Sequence, residues 1–135
     1  METTRDTPRP RPRPEPRMRR KIIAFDLLAE AKAMKYEKAW NEHGHDAKTL
    51  AHREHVRSLL LVLKNGKRIP RHSMPGDVTL QGLDGRIRIH LPDEIVELGA
   101  GSLLSIDHDI PFDIEAKTGD CVVLVTFGTC NCAEE

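Results

Sequence analysis

The 135 residues make up one domain's worth of chain, enough for a single hydrophobic core, and 21 basic and 21 acidic side chains cancel to a formal net charge of zero. Aromatic residues are only 4%, so the core has to be built from Leu, Ile, Val and Ala. No apolar run approaches the length of a membrane-spanning helix, and three cysteines, an odd number without a secretory signal, argue against a disulfide framework.

Residues 1–20 differ in kind from the rest. They hold five Pro and seven Arg against three acidic residues, a net charge of +4 that leaves −4 on the remaining chain. The repeat Arg9-Pro10-Arg11-Pro12-Arg13-Pro14 cannot form a helix or a central strand and favours extended polyproline conformations, so a disordered tail is expected. Such a tail can touch nucleic acid or anionic lipid, although a solubilising role is the simpler reading. With no apolar leader after the arginines, a cytoplasmic location is expected.

Residues 21–47 read as a helical lead. Asp26 is placed to cap a helix from Leu27 to about Asn41, with Leu27, Leu28, Ala31, Met34 and Tyr36 to Trp40 along its buried side and Gly44 at its end. His43, His45, His52 and His55 cluster here, but the stretch around Gly44 and Asp46 reads as loop. Because a metal site needs three or four donors held together, these histidines are expected to be exposed and unliganded.

Residues 48–128 carry the strand pattern. Short aliphatic segments, clearest from Arg57 to Phe127, alternate with turn residues, as in a small antiparallel barrel. Asp84-Gly85 is the strongest hairpin signal, since both residues accept the positive φ that tight turns require. After it, Ile87, Ile89 and Leu91 alternate with Arg86, Arg88 and His90, one apolar face and one wet face. Cys121-Val122-Val123-Leu124-Val125 is apolar on both faces and predicts a strand covered on its outer side as well. His108, between Asp107 and Asp109, sits in a turn with solvent as its partner. Cys121 reads as core, and Cys130 and Cys132 fall in a flexible end over 129–135.

Gly66-Lys67-Arg68-Ile69-Pro70-Arg71-His72, then Pro75-Gly76-Asp77-Val78-Thr79-Leu80-Gln81-Gly82-Leu83-Asp84-Gly85-Arg86-Ile87, form one recognisable motif. Val96 to Ile106 and Ile110 to Ala116 form a second at a proper separation. On these residues the sequence resembles the small single-domain bacterial cupins. The resemblance implies an all-β fold, an RmlC-like jelly-roll barrel of antiparallel strands, here with an N-terminal helix and a Pro/Arg-rich tail. It also implies a homodimer, the commonest closed assembly.

The fuller cupin pattern places metal-binding donors at positions that fall here on His72, Met74, Val78 and Phe112. Only His72 keeps an imidazole. A thioether, an isopropyl group and a phenyl ring supply almost no donors for a first-row divalent metal, so a degenerate metal motif and no cofactor are expected. What the resemblance leaves is a lined pocket of His72, Met74, Val78, Gln81 and Phe112. Strict alternation puts Gln81 on the face opposite Val78, so it reaches that interior only through a shift or bulge.

The leading expectation is therefore a module that binds a small organic molecule in the barrel, non-catalytic or regulatory. An enzyme is the alternative, either a metal-dependent oxygenase with unusual ligands or a metal-free isomerase with His72 as general base. A third reading makes the barrel a dimerisation platform for the basic tail.

Overall fold

In a computed structural model of the chain, the described residues are 20–71 and 73–129. Most of the expected tail, His72, Cys130 and Cys132 therefore lie outside the described residues. Helix α1 spans Leu27–Met34 and begins as the sequence implies, the Ala29 N–H donating to the Asp26 carboxylate at 3.1 Å. It does not run on to Asn41. A break after Met34 is followed by α2 at Lys38–His43, which Gly44 ends at φ +78° with its N–H on the Trp40 carbonyl.

The break has a packing cause. At about 100° per residue, an unbroken helix would carry Trp40 roughly half a turn away from the face of Ala31. With the break, Ala31, Met34 and Trp40 all pack into one apolar cluster on a sheet, while Leu28 and Tyr36, expected on the buried side, are 58% and 80% exposed.

Nine strands follow among the described residues: β1 (His45–His52), β2 (Val56–Leu63), β3 (Arg68–Arg71), β4 (Val78–Asp84), β5 (Ile87–His90), β6 (Ile95–Leu98), β7 (Leu103–Ile106), β8 (Phe112–Ala116) and β9 (Cys121–Gly128). They form two antiparallel sheets, in the orders β1-β2-β9-β4-β7 and β3-β8-β5-β6. Inward side chains of both sheets merge into one core that includes Leu61, Leu80, Ile87, Ile89, Phe112, Ile114 and Val123. The architecture is the expected all-β jelly roll.

Strand β9 is covered on both sides, and the outer cover is the chain's own helices. Its odd-numbered residues from Cys121 to Phe127 join the inner core, whereas Val122 joins Leu60, Val62, Ala31, Met34 and Trp40 outside. Strand β1 opens at His45, inside the stretch expected to be helical lead and loop. Its pairing with β2 slips by one residue between Thr49 and Ala51.

Asp84-Gly85 is not a hairpin. Strand β4 pairs with β7 and β9, and β5 pairs with β6 and β8, so the two residues form the corner at which the chain crosses between sheets. Gly85 does take a positive φ, +79°. A corner and a tight hairpin ask the same of one residue's backbone, and only the partners of the flanking strands separate them.

The outer face of the four-stranded sheet is wet, as the alternation of Arg86, Arg88 and His90 implies. Arg68 pairs with Asp113 at 2.9 Å, Arg88 with Glu97 at 2.9 Å, and His90 with Glu115 at 2.7 Å, so His90 has a protein partner as well as solvent. His108 likewise meets Asp77, its backbone N–H donating to the carboxylate at 3.0 Å.

The hydrogen bond from His90 is the main cause that holds the Glu115 carboxyl below its ordinary value. Because the folded value lies below the unfolded one, the contribution is fully present above the ordinary carboxylate range and disappears as pH falls through the lower, folded value. Glu115→Gln is therefore expected to shallow the acid side of a melting-temperature profile as pH falls through the carboxylate range. Superimposable acid limbs in wild type and variant would refute this.

Candidate functional site

Strand register stacks the inner face of the five-stranded sheet in lateral rows. Leu63 and Cys121 make one end row; Leu61 and Val123, with Gly82, make the next; Leu59, Val125, Leu80 and Leu104 make the third. On β2, β9, β4 and β7 these rows are apolar or glycine, and the innermost residues are fully buried; their β1 members, His45, Ala47 and Thr49, are exposed or only partly buried. The fourth row differs in having a buried histidine and, on β2, an arginine: it runs His52, Arg57, Phe127, Val78, Ile106 across β1, β2, β9, β4 and β7. One end of the barrel interior thus carries an imidazole and a guanidinium beside two aliphatic side chains and a phenyl ring.

Each polar member has a local cause. Arg57 has the parity of Leu59, Leu61 and Leu63 on β2 and lies opposite Phe127, so alternation alone turns it inward. His52 is turned inward by the β1 irregularity. Without the slip His52 would stand opposite Val56 on the outer face; with it, Leu50 is absorbed into the outer cluster and His52 comes opposite Arg57. His52 is only 9% exposed, which corrects the expectation that the four N-terminal histidines are all exposed; His43 and His55 are exposed.

Val78 and Phe112 are 1% and 2% exposed and belong to the shared core, against which Met74 packs from the segment before β4. Phe112 pairs with Arg71, the last described residue before position 72, so three of the five residues singled out from the sequence meet at the same core. Gln81 does not join them. It lies opposite Leu124, on the outer face with Thr79, because the β4 bulge falls between Gly82 and Asp84, too late to turn it. His72 lies outside the described residues.

The rest of the polar chemistry is dispersed. The Cys121 thiol is buried and its pKa is pushed up to about 12, chiefly by burial and then by the neighbouring Asp120 charge, which makes it a core residue rather than a nucleophile. Asp46, at the start of β1, is raised by burial. Among the described residues, no three His, Cys, Asp or Glu side chains converge as a metal-binding group. No described helix is long and apolar enough to cross a membrane. A cleft of about 350 Å³ lies between α1 and the sheet's outer face, floored by Ala31, Leu83 and Val122 and edged by Lys32 and Lys35, on the far side of the sheet from the inner row.

Solved structures share this architecture. An RmlC-like cupin family protein with a double-stranded β-helix fold from Methanocaldococcus jannaschii matches with a TM-score of 0.63 at 17% identity, over 84% of this chain and 94% of its own. A conserved protein of unknown function from Streptococcus pyogenes matches at 0.59 and 24% identity, over 65% of this chain and 76% of its own. The DMSP lyase DddQ from Ruegeria pomeroyi matches at 0.58 and 14% identity, over 62% of this chain and 46% of its own. The chain therefore has the cupin fold. No protein-family model matches the sequence, and no curated protein does.

Proposed function

We propose that this cupin-fold chain binds a small organic molecule at the His52–Arg57 end of its barrel, without a stoichiometric metal and without turning the molecule over. The observation that carries the reading is the row itself: a buried imidazole and an inward arginine stand beside Phe127, Val78 and Ile106, and a few polar groups set among apolar walls are how a pocket orients a ligand while its walls hold the ligand's apolar body. The side chains at the positions where the cupin resemblance would put further metal donors, Met74, Val78 and Phe112, face apolar neighbours and have little affinity for a transition metal. Fold alone assigns no chemistry, since the same barrel serves a lyase and proteins of unknown function.

Elemental analysis of the full, untagged chain, paired with native mass spectrometry of the same sample, tests the proposal. The expected result is metal far below one atom per chain, together with an added mass of small-molecule size that is released on denaturation. Close to one iron, manganese, nickel, copper or zinc per chain, lost in His72→Ala, would overturn the metal-free reading. Chemical conversion of the released molecule by fresh protein would overturn the non-catalytic one and favour the enzyme.

A further inference from the structure

We infer that the ligand of this end of the barrel is an organic monoanion, a carboxylate with an apolar body, and that Arg57 is the residue that recognises its charge. The inference rests on the binding reading above and names the class of molecule. Its starting point is an arginine without a counter-charge among the described residues. The Arg57 Nε is buried and has no hydrogen-bond partner, and among the described residues no carboxylate forms an ion pair with this side chain. Arg88 makes the contrast: its Nε is also buried without a partner, but its Nη2 is paired with Glu97 at 2.9 Å.

A guanidinium cannot shed its proton at any pH relevant to a protein, so the charge at Arg57 is permanent. Holding such a charge half-buried beside Phe127, and leaving a buried donor unmatched, costs stability unless something supplies the acceptor. Natural sequences tolerate that cost mainly where function requires it. The planar fork of a guanidinium matches a carboxylate through paired N–H donors.

The surroundings narrow the class. Phe127, Val78 and Ile106 continue the row beyond Arg57, and Phe112 and Met74 belong to the same core, so the remainder of the ligand meets aliphatic and aromatic walls. Among the described side chains of the row Arg57 is the one arginine, fewer cationic groups than a doubly charged phosphate would use. His52, directly opposite Arg57 across the strand pair, brings an imidazole to the same end and does not change this preference.

The test uses the full chain and four probes of matched shape: benzoate and 3-methylbutanoate, against benzamide and 3-methylbutanamide. Binding is followed by amide chemical shifts, with the row residues 52, 57, 78, 106 and 127 as reporters. The acids are expected to bind roughly 10- to 100-fold more tightly than the amides, the range of one charge-assisted hydrogen-bonded contact. Arg57→Met should abolish that preference and Arg57→Lys should retain part of it.

A structural role for Arg57 makes the opposite prediction for stability. Arg57→Met is expected to melt about 3 to 6 °C higher than wild type without ligand, because it removes an unmatched buried donor and keeps an apolar stem. Lower melting, or an acid preference that survives in Arg57→Met, overturns the inference. Equal binding of acids and amides at the row overturns it too, while leaving the barrel as a binding site. Silence from all four probes in wild type sinks both.

Discussion

Phe112→Ala is expected to remove about 3–5 kcal/mol of folding free energy, a large share of the roughly 5–15 kcal/mol typical of a domain. Phe112 heads the fully buried side chains, at 2% exposure, and sits on β8, which is hydrogen-bonded to β3 on one side and β5 on the other. Its ring therefore bears on the closure of the four-stranded sheet against the inner row of the five-stranded one. With aromatics at 4% of the sequence, there are few large side chains to collapse into the space it would leave. Urea unfolding measures the effect: a midpoint shift at nearly constant slope is the expected signature, and a loss under about 1 kcal/mol would mean that this end of the core is loosely filled.

The second large effect is expected at the sheet-to-sheet corner. Gly85→Ala meets two obstacles at once. Its φ of +79° costs an alanine about 1–2 kcal/mol, and a Cβ there would run into the carbonyl oxygen of Asp120 and come within 3.0 Å of the Cys121 Cα. Cys121 opens β9, the central strand of the five-stranded sheet, and Asp120 immediately precedes it, so relief requires moving backbone that β2 and β4 also hold. Gly101→Ala is the control, with φ +89° but nothing within 4 Å of its Cβ. The control should lose only the conformational part, and Gly85→Ala at least about 2 kcal/mol more. Equal losses would show that the corner's close approach carries no energetic weight.

Both variants probe features that the sequence reveals unevenly. Gly85 is readable as a residue of positive φ from Asp84-Gly85 itself, yet its role as a crossing rather than a hairpin depends on β4 choosing β7 and β9, residues 20 and more positions away. The β1 strand shows the same limit more sharply. His45–His52 has no long apolar run, and a one-residue slip after Thr49 decides whether His52 faces solvent or the barrel. Arg57 was legible in principle: period-2 counting back from Leu63, Leu61 and Leu59 places it inside, and the arginine's charge is what makes that placement unexpected.

The amino-acid sequence by itself determined the strand-rich pattern over residues 57–127, the wet face of Arg86, Arg88 and His90, the doubly covered strand at 121–125, the Asp26 cap, and the resemblance from which the cupin fold follows. These are local or periodic signals, and hydrophobic patterning with capping chemistry states them within a few residues. Tertiary structure alone decided that the helix breaks to bring Trp40 onto the sheet, that Asp84-Gly85 crosses between sheets, that Gln81 stays outside, and that His52 joins Arg57 at one end of the barrel. Each of those depends on which distant strand becomes the neighbour and in which register. That choice minimises the free energy of the whole packed core, and no short window of residues contains it.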